Sequence, residues 1–235
     1  MKRLLKRWLA PKLHLRPHQA SRLDIWKAIP AAPQPASIEH SRFVVVDVET
    51  TGLNLMTDTL ISIGAVAVVN GRIALGDSFY VVLQQREISR KENILIHGIS
   101  SSAQREGVDP AEALLAFLEY LGKDPLVAFH VTFDETMIRR ALRQHLGLSF
   151  KHPWLDLAYV MPALYPTLAY SHRVLDDWIG RFNIRIEVRH NALADALATA
   201  QLLQVANSQA RKKGIDDFGG LRDLERSQRW VSGVS

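Results

Sequence analysis

The sequence predicts an α/β domain, and three observations point there. Residues 43–53 open on a dense β-branched run, apolar on both faces, which reads as a central buried strand. Asn70-Gly71 separates two further apolar, β-rich runs at residues 59–69 and 72–83, the strongest short hairpin signal available. Past them the apolar residues recur at helical spacing, and the last such stretch, residues 191–213, is long and rich in Ala and Leu. Three antiparallel strands therefore open the domain, and helices dominate the remainder of the chain.

Taken in order, the chain begins with a basic arm over residues 1–29. Leu4, Leu5, Trp8 and Leu9 recur at helical spacing with Lys and Arg between them, until Pro11 interrupts. This pattern suits a short amphipathic helix for an anionic membrane surface or a partner's groove. The plainer alternatives, a loose tail or a helix folded back onto the body, carry somewhat more weight. The apolar stretch is too short and too charged for a secretory signal. Residues 30–37, with Pro30, Pro33 and Pro35, read as a stiff extended linker, so the globular domain is expected from about Ser41.

After the three strands, residues 86–104 lack a sustained period and read as loop with a helical turn or two. Asp109-Pro110 starts a helix that runs through Leu121. Residues 126–129 form a short strand. Thr132 and Glu135 make a capping box for a helix to about Gly147, with Arg139, Arg140 and Arg143 on its outer face. Residues 153–164 and 171–182 read as helices, with room for a short strand around Leu155. Residues 191–213 form the long helix, and the tail from Gly214 has no clear period. The organisation is thus an arm and linker at 1–40, the main domain at 41–213 and a tail at 214–235.

Composition narrows the function. The chain has 235 residues, 47% hydrophobic and 23% charged, as in an ordinary globular protein. It has no cysteine, which excludes disulfides, thiol nucleophiles and Cys-based metal sites and suits a reducing, cytoplasmic setting. No apolar run reaches transmembrane length. The formal charge is +5, yet residues 1–40 hold eight Lys and Arg against Asp24 and Glu39, a local +6. The remainder is nearly neutral, so the attraction to polyanions belongs to the arm.

The chemistry lies in carboxylates placed where carboxylates are costly. Asp47 and Glu49 are two apart in the first strand and so share one face. Close, poorly hydrated like charges repel, and no Lys or Arg occurs in residues 43–71 to balance them locally. A divalent cation held by oxygen ligands is the natural compensation. Asp134 follows the short strand into the first turn of a helix, where the helix dipole alone could explain an acid. Asp195 lies a turn into the Ala/Leu helix, flanked by Ala192, Ala198 and Thr199, small residues that would let the helix backbone approach a metal closely. His190 precedes that helix on a loop, with Asn191 as its cap, and is a candidate base.

These residues resemble the motifs of a known family. Asp47-Val48-Glu49-Thr50-Thr51-Gly52 is similar to the first motif of the DnaQ-like, or DEDDh, 3′–5′ exonucleases, among them the proofreading epsilon subunit of bacterial DNA polymerase III. Phe133-Asp134 resembles the second motif, and His190 with Ala192, Leu193, Asp195 and Ala196 the third. Asn93 with His97, Gly98 and Ile99 resembles a further segment near the active site. The resemblance covers about residues 42–206. One position departs: His130 is followed by Val131, where the family usually has Asn.

The resemblance implies a ribonuclease H-like fold, a mixed five-stranded sheet with helices on both sides. It implies two divalent ions, Mg²⁺ or Mn²⁺, held by Asp47, Glu49, Asp134 and Asp195, with His190 as general base. Thr50, Thr51, Leu53, His97 and Phe133 would meet the terminal nucleotide. The implied substrate is a nucleic acid with a free 3′ end, single-stranded DNA before others. Two alternatives stay open: an exoribonuclease or small-nucleotide phosphodiesterase using the same site, and a nucleic-acid-binding adaptor with weak catalysis. A protein or membrane partner of the arm is a third, separate expectation.

Overall fold

A mixed five-stranded sheet forms the centre of this computed structural model, which describes residues 15–31 and 37–233. The apolar positions 4–9 and most of the Pro-rich linker lie outside the described residues. The strands are β1 (Arg42–Thr50), β2 (Leu60–Val69), β3 (Arg72–Val82), β4 (Leu126–Ala128) and β5 (Trp154–Asp156), in the order β3-β2-β1-β4-β5. β1, β2 and β3 pair antiparallel, while β4 runs parallel to β1 and β5 parallel to β4. The hairpin between β2 and β3 turns at Asn70 and Gly71, both with positive φ (52° and 74°). That is the conformation Asn-Gly supplies in a two-residue turn whose twist matches the strands.

The helices are α1 (Pro17–Ala28), α2 (Lys91–His97), α3 (Ser101–Arg105), α4 (Pro110–Leu121), α5 (Val131–Leu146), α6 (Leu157–Leu164), α7 (Leu175–Arg181), α8 (Ala192–Lys212) and α9 (Phe218–Val231). They cover both faces, as the alternation along β1 requires. Val44, Val46 and Val48 pack with Leu114, Phe117 and Leu118 of α4 and with Ile138 and Leu142 of α5. Phe43 and Val45 pack the other way, with Val160 of α6, Leu202 and Leu203 of α8 and Phe218 of α9. No helix among the described residues is long and apolar enough to cross a membrane.

Several local expectations need correcting. α5 is not started by a capping box at Thr132 and Glu135. Its cap is His130, in the left-handed region at φ 66°, with no side-chain cap of its own. The carboxylate of Asp156 instead accepts the amides of His130 (3.0 Å) and Val131 (3.2 Å), so a residue 25 positions beyond Val131 caps the start of the helix. Residues 153–164 divide into β5 and α6 at Asp156, which caps α6 by accepting the Ala158 amide. Residues 171–182 are helical only at Leu175–Arg181.

The tail from Gly214 is not aperiodic. It holds α9, capped by Asp217, whose carboxylate accepts the Gly220 amide at 2.7 Å. Phe218 and Leu221 are buried, and Phe218 meets the ring of Phe43 at 5.9 Å. Gly219 and Gly220 mask the pattern, since glycine opposes a helix unless packing compensates.

Within residues 1–40, α1 lies folded back on α4. Arg22 bridges Glu112 (2.6 Å) and Glu119 (2.7 Å), and the Trp26 indole donates to the Gly122 carbonyl at 2.9 Å. Leu23 and Trp26 join the same apolar cluster as β1, α4 and α5. The ion pairs are only partly buried and add little; the buried indole holds the helix. Trp26→Ala is expected to cost about 3 kcal/mol of stability, read as a lower midpoint in chemical denaturation. An unchanged midpoint would mean that α1 is only loosely attached.

Candidate active site

β1 continues through Thr50, so Asp47 and Glu49 are inside a strand and not on a solvated turn. Their partners in the antiparallel register are Gly64 and Ser62 of β2. Gly64 decides what can approach this face: a Cβ there would lie 2.2 Å from the backbone of Ala192 and Leu193. Only glycine lets the start of α8 rest on the sheet at that point. The start of α8 at Ala192, expected to come close to a metal, thus comes close to β2, and the approach carries the Asp195 carboxylate to the strand. Carboxylate oxygens of Asp47, Glu49 and Asp195 lie within 4.8 Å of one another. Asp134 arrives from the other layer, in the first turn of α5 directly after β4, and is buried.

Four acids in one place depress ionisation. Burial, and then the charges of Asp134, Asp195 and Glu49, hold the Asp47 carboxyl well above the usual carboxylate range. Glu49 is pushed up to about 7, mainly by burial and then by Asp195. Burial also raises Asp134, against donation from backbone amides, its own and that of Val48. Asp195 is raised by burial and held back by Arg189, whose guanidinium bonds both Asp195 and Asp176 (2.7 Å). The absence of a cation in residues 43–71 was legible, but Arg189 comes from far along the chain. One guanidinium among four carboxylates leaves a surplus of negative charge. The donors in that surplus are all hard oxygens, and the set therefore fits Mg²⁺ or Mn²⁺.

The remaining expected residues fall into two groups. His190 is exposed in the left-handed region (φ 58°), and its backbone amide donates to Asp195 at 3.0 Å, so loop and acid are fixed to each other. Asn191 caps α8 as expected, accepting the Ala194 amide at 3.1 Å. Thr50 donates to the Gly52 carbonyl (2.7 Å), Thr51 to Asp58 (3.1 Å), and Leu53 stands 85% exposed on the adjoining loop. Phe133 is half-buried beside Asp134 and packs on the α4–α5 cluster. His97 is different: it is buried, accepting the Ile99 amide (3.0 Å) and bonding Ser89 (3.3 Å), which Gln104 also holds. Its element still reaches the site, because Asn93 of α2 donates to the Thr51 carbonyl.

Three contributions are absent from the sequence motifs. Gly64 had a signal, an isolated glycine in an apolar strand. The sequence pattern puts Arg140 on the outer face of α5, yet its guanidinium donates to the carbonyls of Leu55, Met56 (2.9 Å) and Asp58 (3.0 Å), pinning the loop beyond Leu53. Arg189 had no signal beyond its place next to His190.

Known proteins resemble this chain in sequence and in fold. A family model described as exonuclease matches residues 44–203. The chain is 30% identical over 203 residues to a PolC-type DNA polymerase III from Thermotoga petrophila, covering 86% of this chain and 14% of the polymerase. It is 32% identical over 179 residues to the PolC-type enzyme of Bacillus subtilis, covering 76% of this chain and 12% of that one. The chain therefore spans only about one-seventh of the length of these relatives. Among solved structures, E. coli Exonuclease I in complex with a dT13 oligonucleotide superposes with a TM-score of 0.62 at 19% identity, over 73% of this chain and 42% of that one. Exonuclease X in complex with 5′ overhanging duplex DNA gives 0.60 at 17% identity, over 78% and 99%. These two likenesses show the ribonuclease H-like fold.

The geometry has two measurable consequences. Gly64→Ala should push α8 off β2, lowering stability by a few kcal/mol and removing divalent-ion affinity measured by calorimetry; retained affinity would show that Asp195 does not depend on this contact. The second consequence concerns pH without divalent ions. Glu49 has a folded pKa above its unfolded value, so its contribution is full below about 4.5 and is lost as pH rises through about 7. The stability of the metal-free protein relative to Glu49→Gln should therefore fall across that window, by on the order of 2 kcal/mol. A flat difference between the two denaturation series would contradict the crowding of these acids.

Proposed function

The chain belongs to the exonuclease family matched over residues 44–203, and from that membership we propose that it is a divalent-metal-dependent 3′–5′ exonuclease acting on DNA. The observation that carries the reading is the convergence of Asp47, Glu49 and Asp195 oxygens within 4.8 Å, with buried Asp134 adding its charge. DNA is favoured because the relatives it matches at 30% and 32% identity are PolC-type DNA polymerases III.

Asp47, Glu49, Asp134 and Asp195 would together hold two Mg²⁺ or Mn²⁺ ions, which when bound supply a nucleophile at neutral pH and neutralise charge on the leaving 3′ oxygen. The chain's own groups do the rest. His190, exposed next to Asp195 and fixed through its backbone amide, takes the proton of the attacking water on an imidazole nitrogen. The new bond joins water oxygen to phosphorus, the bond from phosphorus to the 3′ oxygen breaks, and a 5′-mononucleotide leaves. Leu53 offers apolar surface to the terminal base, and Thr50, Thr51 and Phe133 shape the floor beneath it. His97 supports this side from within, by holding α2 and thereby the Asn93 contact to Thr51.

The test is digestion of single-stranded DNA with a free 3′ end, the same strand with a 3′-phosphate, a circular strand and RNA, each with Mg²⁺, Mn²⁺ or excess chelator. Mononucleotides should appear only from free 3′ ends and only with metal, and Asp47→Asn should abolish them. His190→Ala should retain metal and substrate binding and lose roughly 10²–10⁴-fold in turnover. Full activity in chelator would overturn the metal reading, cleavage of the circle would make the enzyme an endonuclease, and faster loss of RNA would reassign the substrate.

A further inference from the structure

Resting on that metal reading, we infer that the C-terminal helix α9, which lies beyond the residues matched to the family, is part of the catalytic apparatus. Arg229 neutralises the buried Asp156, and Asp156 fixes the first turn of α5 that carries Asp134. Both are positioning residues.

Asp156 is 1% exposed and sits at the end of β5, in register with Ala128 at the end of β4. Its carboxylate ties together two helix starts. It accepts the amides of His130 (3.0 Å) and Val131 (3.2 Å) at the head of α5, and of Ala158 (3.0 Å) in α6. A buried carboxylate with only neutral donors keeps an uncompensated charge, at a cost of several kcal/mol. The compensating charge comes from α9: an Arg229 amino group lies 2.9 Å from Asp156.

That guanidinium is held from three sides. Glu225, one turn earlier on α9, accepts from Arg229 Nε at 2.9 Å, and its other oxygen accepts the Asp156 amide at 3.3 Å. The ring of Tyr159 on α6 lies 4.0 Å from the guanidinium carbon. A planar fork fixed by two carboxylates and an aromatic face is a directed contact, unlike a flexible surface pair.

The consequence reaches the acids because of what Asp156 holds. His130 is a non-glycine residue in the left-handed region, a conformation that needs support from its surroundings. Its amide and that of Val131 are the ones Asp156 accepts. Asp134 follows Val131 by three residues, within the same turn of α5, so a shift at these amides displaces its carboxylate directly. Asp156 is also a negative charge that Asp134 feels, which makes its neutralisation by Arg229 matter twice. Groups that orient metal-binding residues typically change metal affinity by 10–100-fold when removed.

The experiment measures divalent-ion affinity by calorimetry on the full chain, with kcat and KM on a single-stranded oligonucleotide. Arg229→Met should bind Mn²⁺ ~10- to 100-fold more weakly and lose kcat with KM little changed, while Arg229→Lys should recover part of both. Phe218→Leu loosens the packing of the same helix without touching Asp156. It should lower the melting temperature yet leave metal affinity as in the wild type. If Arg229→Met binds metal like the wild type, or if Phe218→Leu weakens binding as much, α9 is only a structural support and the inference is wrong. If Arg229→Met does not fold, Arg229→Gln decides: Mn²⁺ affinity weakened ~10-fold or more with intact folding supports the charge as the active feature, and wild-type affinity opposes it. A wild-type protein that binds no divalent ion would instead sink the proposed function, and this inference with it.

Discussion

The repulsion among four carboxylates is the constraint on which the rest of this structure depends. Asp47, Glu49, Asp134 and Asp195 come from three elements, and each is raised from its ordinary value chiefly by burial. Burying an ion costs several kcal/mol even after relaxation, and like charges add to that. Such a cluster stands only where the scaffold is stable enough to hold it and where cations offset it. Arg189 offsets part, and the surplus is one that a hard divalent ion would offset.

The scaffold meets that demand by putting the acids at the junction of its two layers. β1 is the central strand, buried on both faces, and it presents Asp47 and Glu49 toward the layer of α8. α5 belongs to the opposite layer, yet its first turn comes so soon after β4 that the buried Asp134 is close enough for its charge to act on Asp47. The contact that closes the arrangement is backbone on backbone, α8 against Gly64, where no side chain could intervene. Loops are then held to the site by individual side chains, Arg140 on the carbonyls after Leu53 and Asn93 on Thr51.

The chain's terminal elements are extensions of the same logic. α1 covers α4 at the periphery, through one buried indole and a group of partly buried ion pairs. α9 reaches inward, filling the space between Phe43 and α6 and extending Arg229 to Asp156. The first adds buried area to the core; the second also places a charge where a buried carboxylate would otherwise be unbalanced.

What the sequence determined by itself is whatever depends on local pattern. The β-branched run and Asn70-Gly71 set the first three strands, because alternation and turn conformation are properties of a few adjacent residues. The two-residue spacing of Asp47 and Glu49 put both on one face, and the Ala/Leu stretch with Asn191 before it defined α8. Tertiary structure alone decided the rest. The start of α5 depends on Asp156, which no local motif reveals, so the capping box at Thr132 was a false signal. The helix at Phe218–Val231 forms against its own glycines because α6 and Phe43 bury its apolar side. Arg189 and Arg229 read as ordinary surface charges until the fold sets each beside a buried acid. Their roles arise from contacts between residues distant in the chain, where only packing decides which charges meet.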